Sequence, residues 1–204
     1  MTIFFKKQLT LISLLLLLSS TGIATGHART TETIVAHWQS MQPIQGRMLV
    51  MIPEEVEQYV YTFSHKGGRE TRLPVGQQVT DLLEKLLRSA FSSTTFMPVP
   101  SEATAKEMNE EQDPRMRGYD FVAIPRITKV SHWDRGPEYG FDVDLSLEIS
   151  SFSTRTVETI SGHGESSTPE SPVFTPAERL STAVSYALDA VRDGIVTRQD
   201  AWSR

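Results

Sequence analysis

Residues 139–166 read YGFDVDLSLEISSFSTRTVETISGHGES, and the pattern of this stretch decides the fold class. From Phe141 to Ser150, apolar and polar residues alternate without exception. Strict alternation of this kind is typical of a β-strand that packs one face on a core and leaves the other face in water. After the Ser-rich corner at 150–154, residues 156–161 predict a return strand. The stretch therefore predicts neighbouring antiparallel strands with one wet face.

Two other segments follow the helical period of three and four residues. The first begins near Gly76. The second follows Thr175, Pro176 and Glu178, which form a capping box with proline at the first helical position. Each segment carries one apolar stripe, as expected of a helix that covers a sheet. The stripes are Val79, Leu82, Leu83, Leu86, Leu87 and Ala90 in the first helix, and Leu180, Ala183, Val184, Ala187, Leu188, Val191 and Ile195 in the second.

The remaining segments complete a sheet. Residues 101–112 predict a short exposed helix, and Pro125 predicts an edge position or a bulge in its strand. Strands and helices with one apolar face each pack as two layers. The fold class is therefore α+β, a two-layer sandwich with a mixed or antiparallel sheet and two main helices packed on one face. The further strands are predicted at 47–52, at 59–65 and 70–73 as a hairpin, at 95–99 and at 119–133.

The first residues of the chain predict a targeting signal and not a part of the folded domain. Lys6 and Lys7 precede an apolar run at 9–18, and small residues follow up to Ala28, which is the pattern of a secretory signal peptide. The run is too short to span a bilayer as a helix. We expect a signal peptide at 1–28, a flexible lead-in at 29–46 and a single α/β domain at 47–204, in a periplasmic or secreted protein.

Composition excludes several classes of function. The leader contains two lysines and no acids, so the rest of the chain has 18 basic and 25 acidic residues, a net charge of −7. This balance argues against nucleic acid as a partner, because binding to a phosphate backbone requires a basic surface. The chain has no cysteine. Thiol chemistry, cysteine-based metal sites and a lipid-modified amino-terminal Cys are therefore excluded, and no direct membrane anchor is expected.

Two motifs could indicate a metal or catalytic site, but the predicted fold explains both of them more simply. Asp142, Asp144 and Glu148 share one strand face, but alternate positions on a flat strand lie about 7 Å apart, whereas a hard cation needs converging oxygens. The Gly162–Ser166 run places His163 near a serine but lacks a nucleophile elbow. Its glycines more simply end the strand. We expect no metal, no cofactor and no catalytic residue.

Aromatic residues supply the candidates for binding a partner. Tyr59, Tyr61 and Phe63 lie beside a Gly-Gly turn, where they either present a hairpin edge to another protein or pack one side on the core. Trp133 and Tyr139 flank another turn, where they either join that surface or pack against each other as a cross-strand pair.

The order of elements resembles a group of small modules in bacterial envelope proteins. The segments that carry the resemblance are Leu73-Pro-Val-Gly76 with the helix ending at Phe91, Tyr119-Asp-Phe-Val, Leu145-Ser-Leu-Glu-Ile, the run from Thr156 to Ser166, and a closing helix at 176–196. Such modules occur in curli-secretion-type lipoproteins, the amino-terminal domain of TolB-like proteins, and outer-membrane activators of penicillin-binding proteins. The resemblance implies a non-catalytic module that docks onto envelope proteins. The chain departs from the lipoprotein members in having no cysteine.

Three functions follow as expectations. The first is an exported, non-enzymatic accessory or adaptor protein of a cell-envelope assembly, which acts by protein–protein docking at a strand edge or on the uncovered sheet face. The alternative is a periplasmic binding domain for a small apolar or peptide ligand, held between sheet and helices. The third is a hydrolase with an unrecognised site.

Overall fold

The structure is a computed structural model that describes residues 30–40, 42–64, 70–135, 138–166 and 175–202. The predicted signal peptide lies outside these residues. The order of elements along the described chain is α1 (Thr31–Trp38), β1 (Ile44–Pro53), α2 (Glu54–Glu57), β2 (Tyr61–Ser64), β3 (Glu70–Leu73), α3 (Val75–Ala90), β4 (Phe91–Val99), α4 (Glu102–Glu110), a 3-10 turn (Pro114–Met116), β5 (Phe121–Arg135), β6 (Glu138–Ser151), β7 (Thr156–Glu165) and α5 (Pro176–Trp202).

The main sheet is mixed. Its strand order is β4-β1-β5-β6-β7, and β2 and β3 form a separate antiparallel pair. Strand β1 runs parallel to β4 and to β5, while β5, β6 and β7 form an antiparallel meander. Strand β5 pairs with β1 only from Phe121 to Ala123. Pro125 therefore lies just past the end of that pairing, where its missing N–H is not needed, which confirms the predicted edge position.

Helices α3 and α5 cover one face of this sheet, which confirms the predicted fold class. Every residue of the two predicted stripes is buried. The capping box of α5 also forms: the Thr175 N–H donates to Glu178 Oε2 at 2.7 Å, and the Glu178 N–H donates to Thr175 Oγ1 at 3.3 Å. The bond from the Thr175 N–H, together with one from the Thr175 hydroxyl to Glu178 Oε2 at 2.9 Å, holds the pKa of Glu178 below its usual value.

Strand β7 is longer than the sequence indicates. It continues through the predicted exit glycines to Glu165, and Gly162 and Gly164 pair with Leu145 and Val143 of β6. A Cβ atom on Gly162 would lie 1.9 Å from the Ala187 carbonyl oxygen, and one on Gly164 would lie 2.0 Å from the Ala183 carbonyl oxygen. The glycines therefore let the backbone of α5 approach the strand directly, instead of ending it.

The opposite face is partly covered. Helix α4 packs Ala105 and Met108 against Leu49, Met51 and other apolar residues of the sheet, so this helix is not the fully exposed one that its sequence predicts. Polar contacts fix its position: Asn109 Nδ2 donates to Ser150 Oγ at 2.8 Å, and Arg126 Nε donates to Glu102 Oε2 at 2.7 Å. The bond from Arg126 lowers the pKa of Glu102.

The predicted flexible lead-in contains a helix. Thr30 caps α1, and Ile34 and Trp38, four residues apart, are fully buried in the main core. The indole Nε1 of Trp38 donates to Asp189 Oδ1 of α5 at 2.9 Å. These two contacts order residues whose composition alone indicates a loose segment.

Candidate docking surface

Phe63 belongs to the core and not to an exposed hairpin edge. Its side chain is 5% exposed and makes an edge-on contact with Phe141, with ring centroids 5.3 Å apart. It also lies 5.1 Å from the ring of His132. Burial of this kind supports the packing role of Phe63 over a direct role in binding.

The Tyr61 hydroxyl hydrogen-bonds to the edge of β5 that faces away from β6. The backbone N–H of His132 donates to the Tyr61 hydroxyl at 3.2 Å, and the same hydroxyl lies 3.0 Å from His132 Nδ1. Strand β1 has already diverged from β5 at this point, so the hydroxyl takes the place of a missing neighbouring strand. Its polar end is therefore committed inside the protein.

Tyr139 and Tyr59 are also held by internal contacts. The guanidinium of Arg179 lies 4.1 Å from the centroid of the Tyr139 ring, and its Nη1 donates to the Tyr139 carbonyl oxygen at 2.6 Å. The Tyr59 carbonyl accepts a 2.9 Å hydrogen bond from the N–H of Gly76. Both tyrosines are partly buried against the main core.

Trp133 and Tyr139 do not form the predicted cross-strand pair. Trp133 lies opposite Gly140, and Tyr139 lies opposite Asp134, so the two rings project from opposite faces of the hairpin. An ideal Cβ on Gly140 would lie 2.4 Å from Trp133 Cζ2, so the absence of a side chain there makes room for the indole. Partner binding by Tyr59, Tyr61, Phe63, Trp133 and Tyr139 remains a prediction.

The carboxylates of β6 lie on the polar face, as the alternation predicts. Asp144 is opposite His163, and its Oδ1 lies 2.6 Å from His163 Nδ1. The His163 side chain is 61% exposed. Sequence reasoning missed this pair because it depends on the register between β6 and β7. Within the described ranges, no group of three or more His, Asp or Glu side chains has the geometry of a metal site.

A small cavity lies between the sheet and its helices. A cavity lined by Leu83, Leu145, Leu188 and neighbouring side chains holds only about 10 Å³. Ligand pockets for small molecules are typically about 300–1,000 Å³. Among the described residues, this cavity is therefore too small for an internal ligand, and ligand binding between sheet and helices remains an untested expectation.

An open groove lies at the opposite end of the sheet from the aromatic residues. It has a volume of about 680 Å³ and runs between the segment after α4 and the turn that joins β6 to β7. Tyr119, Phe152 and Val157 supply apolar surface, and Arg117 and Arg155 supply charge. Asp113 also lines the groove, but hydrogen bonds from Arg115 lower its pKa to about 2. No sequence motif indicates this groove, because its walls are about 40 residues apart in the chain.

The groove opens beside a free strand edge. Strand β7 pairs only with β6 among the described residues, so alternate N–H and C=O groups of its outer side have no strand partner there. Val157, near the start of β7, is 63% exposed. The other sheet edge is β4, and it carries Pro98, which removes one backbone donor. Strand β7 is therefore the better edge for pairing with an extended peptide.

No helix in the described part of the chain is long and apolar enough to cross a bilayer. No protein-family model matches the chain. A curated relative, the phycoerythrobilin:ferredoxin oxidoreductase of Prochlorococcus marinus (strain MIT 9211), is 34% identical over 76 residues, which are 37% of this chain and 26% of that protein. The chain thus spans about a quarter of the length of this relative.

Three solved structures are similar at low identity. Protein XCC0632 from Xanthomonas campestris, of the DUF330 family, is 12% identical with a TM-score of 0.42, over 80% of this chain and 89% of that one. The hypothetical protein CT253 from Chlamydia trachomatis is 12% identical with a TM-score of 0.37, over 78% and 98% of the two chains. Lipoprotein GNA1162 from Neisseria meningitidis is 9% identical with a TM-score of 0.30, over 74% and 98%. None of the three is a curli-secretion, TolB or penicillin-binding-protein-activator module.

Proposed function

We propose that this chain is an exported accessory protein of the cell envelope that docks onto another envelope protein through the outer edge of β7. The leader-like pattern at 1–28 supports export. The observation that carries docking is the outer edge of β7, which has no strand partner among the described residues, with the exposed Val157 beside an open groove. Main-chain hydrogen bonds at a free strand edge are a recurring way to bind a peptide segment.

The proposal includes the absence of catalysis. His163 and Asp144 pair on an exposed, flat sheet face, and Ser166, the serine of the same run, is buried with its hydroxyl donating to the Phe141 carbonyl. A nucleophile requires a base within hydrogen-bond reach and a cleft that excludes water. These three residues supply neither arrangement, which supports a binding protein over a hydrolase.

Site-specific photocrosslinking in cells tests the docking role. A photoreactive amino acid at position 157 of the full chain should give an adduct of one defined mass in the envelope fraction. Val60 and Val196 are matched control positions, because they are also exposed valines, at 52% and 41%, and are part of neither β7 nor the lining of the groove. Insertion of the same amino acid at either control position should not give that adduct.

The companion variant Val157→Lys should abolish the adduct from a probe at position 159, because a charge on an edge strand opposes further pairing. Its thermal unfolding should match that of the wild type. Equal adducts from positions 60, 157 and 196, or recovery of the chain from the cytoplasm with its leader attached, would refute the proposed function.

A further inference from the structure

We propose that the groove beside β7 recognises an acidic, extended peptide segment, whose carboxylates bind Arg117 and Arg155 while its backbone pairs with β7. The inference deepens the proposed function and rests on it for the statement that the partner is a protein. It starts from how the arginines of the described chain are paired.

Most arginines of the described chain have a carboxylate partner. Three other arginines lie at the groove: Arg117 and Arg155 line it, and Arg47 lies over the ring of Tyr119, which also lines it, with its guanidinium 5.1 Å from the ring centroid. Within the described residues none of the three takes part in an ion pair. The arginines that do are Arg72, Arg88, Arg115, Arg126, Arg192 and Arg198.

This clustering departs from the charge balance of the protein. Acidic residues outnumber basic ones by 25 to 20, so an arginine at a random surface position has carboxylates to spare. Two acidic residues also line the groove: Asp113, both of whose oxygens bind the guanidinium of Arg115, and Glu110. The three arginines at the groove therefore outnumber the one lining carboxylate that Arg115 does not hold. The groove therefore has guanidinium groups available for an anionic ligand, and guanidinium binds carboxylate with two parallel hydrogen bonds.

The backbone of Arg155 has a conformation that glycine and asparagine adopt more readily than arginine. Its φ is 55°, in the left-handed region, at the end of the turn that joins β6 to β7. Glycine and asparagine adopt this region with less strain, and they are the usual residues in such turns. The turn alone therefore does not require an arginine at this position, and ligand binding by its side chain supplies a reason for one.

The free edge of β7 decides the class of ligand. The strand begins at Thr156, the residue after Arg155, and both residues line the groove together with the exposed Val157. A peptide that adds to this edge places every second side chain on the face that carries Val157. The site thus fits a strand in which acidic residues meet the arginines and apolar residues meet Val157 and Phe152.

Fluorescence anisotropy with synthetic peptides and the purified full chain tests the inference. The probe, called the Glu-Val peptide, is a labelled ten-residue peptide that repeats Glu-Thr-Val-Thr, so that Glu and Val lie on the same face of the strand. The controls are a Lys-Val peptide of the same length and a Glu-Pro peptide, which carries the charge but cannot pair as a strand. We expect binding of the Glu-Val peptide alone, weakened at higher salt because the contacts are ionic.

The decisive variant is Arg155→Gly. It should weaken binding of the Glu-Val peptide about tenfold, the usual effect of losing one charged hydrogen-bonded pair, and Arg117→Ala should do the same. Because glycine relieves the backbone, Arg155→Gly should unfold at a temperature within about 2 °C of the wild type or above it. Arg72→Ala removes an arginine that is 76% exposed on β3 and should leave binding unchanged.

The other possible results distinguish failure of this inference from failure of the proposed function. If the Glu-Pro peptide binds as tightly as the Glu-Val peptide, binding is due to charge attraction alone and not to strand addition. Binding of anionic phosphatidylglycerol vesicles that Arg155→Gly abolishes, with no binding of Glu-Val peptide, would identify a lipid surface instead. If the adduct from position 157 forms in cells but is unaffected by Arg117→Ala and Arg155→Gly, the proposed function stands and this inference fails. If peptide binding depends on both arginines but no adduct forms, the inference stands and the envelope role fails.

Discussion

Replacing Gly162 by alanine should separate helix α5 from strand β7. The new Cβ would lie 1.9 Å from the Ala187 carbonyl oxygen, about 1.5 Å closer than ordinary van der Waals contact at 3.4 Å. The clashing atom belongs to the helix backbone and cannot turn away as a side chain can. The helix must therefore shift as a body or bend locally.

Two effects oppose each other in this variant, and the clash should win. Overpacking a close-packed interface costs about 1–3 kcal/mol. Alanine in place of glycine restricts the unfolded chain and returns about 0.4–1 kcal/mol. Because the clash is with backbone, its cost falls in the upper half of that range, so the net loss in the free energy of unfolding is about 1–2.6 kcal/mol. For a chain of this size this corresponds to a fall in Tm of about 2–10 °C. Chemical denaturation followed by circular dichroism measures it.

The control is Ser161→Ala, an exposed residue one position earlier on the opposite face of the same strand. It should change the free energy of unfolding by less than about 0.5 kcal/mol. Equal stability of Gly162→Ala and the wild type would show that the helix backbone does not lie against the strand as described.

Two further predictions concern how the outer helices are held. Trp38→Phe should lower the free energy of unfolding by about 1–3 kcal/mol, because Asp189 loses the indole N–H at 2.9 Å. Urea denaturation of this variant beside Trp38→Ala, which should cost about 3–5 kcal/mol, separates the contribution of the hydrogen bond from that of the ring. A wild-type urea midpoint for Trp38→Phe would contradict the role of the hydrogen bond. Glu102→Gln should cost about 0.2–1 kcal/mol at pH 7, because the exposed pair with Arg126 is screened by solvent. Since Arg126 lowers the pKa of Glu102, the difference in stability between the wild type and Glu102→Gln should be fully present above pH 4.5 and should vanish as the pH falls through the lowered pKa. If the urea midpoints of the wild type and Glu102→Gln stay apart at low pH, the ion pair is not the cause of the difference.

The helices and the meander could be predicted because their signals are local. The stripes of α3 and α5 repeat every three or four residues, and the capping box at Thr175 requires only residues close in sequence. The alternation around Leu145 likewise specifies which face of β6 is buried. In each case residues close together in the sequence determine the local structure.

The features that escaped prediction depend on distant partners. Helix α1 buries only Ile34 and Trp38, too few residues to show a period, and its order comes from contacts with α5. Gly162 indicates a strand end by sequence alone, and only the approach of Ala187 explains why the strand continues. The groove is likewise invisible, because Arg117 and Arg155 meet only when the sheet has formed.

The short pairing between β1 and β5 has a consequence for how the protein is made. Only Met48, Leu49 and Val50 join the parallel half of the sheet to the meander, whereas β5 and β6 pair along almost their whole length. A chain that grows from its amino terminus completes β1, α3 and β4 well before Phe121 is available. During that interval the edge of β1 that later pairs with β5, which carries the apolar residues Met48, Leu49 and Val50, stands open to other chains. Timely synthesis of β5, or a chaperone that covers this edge, then decides between folding and aggregation.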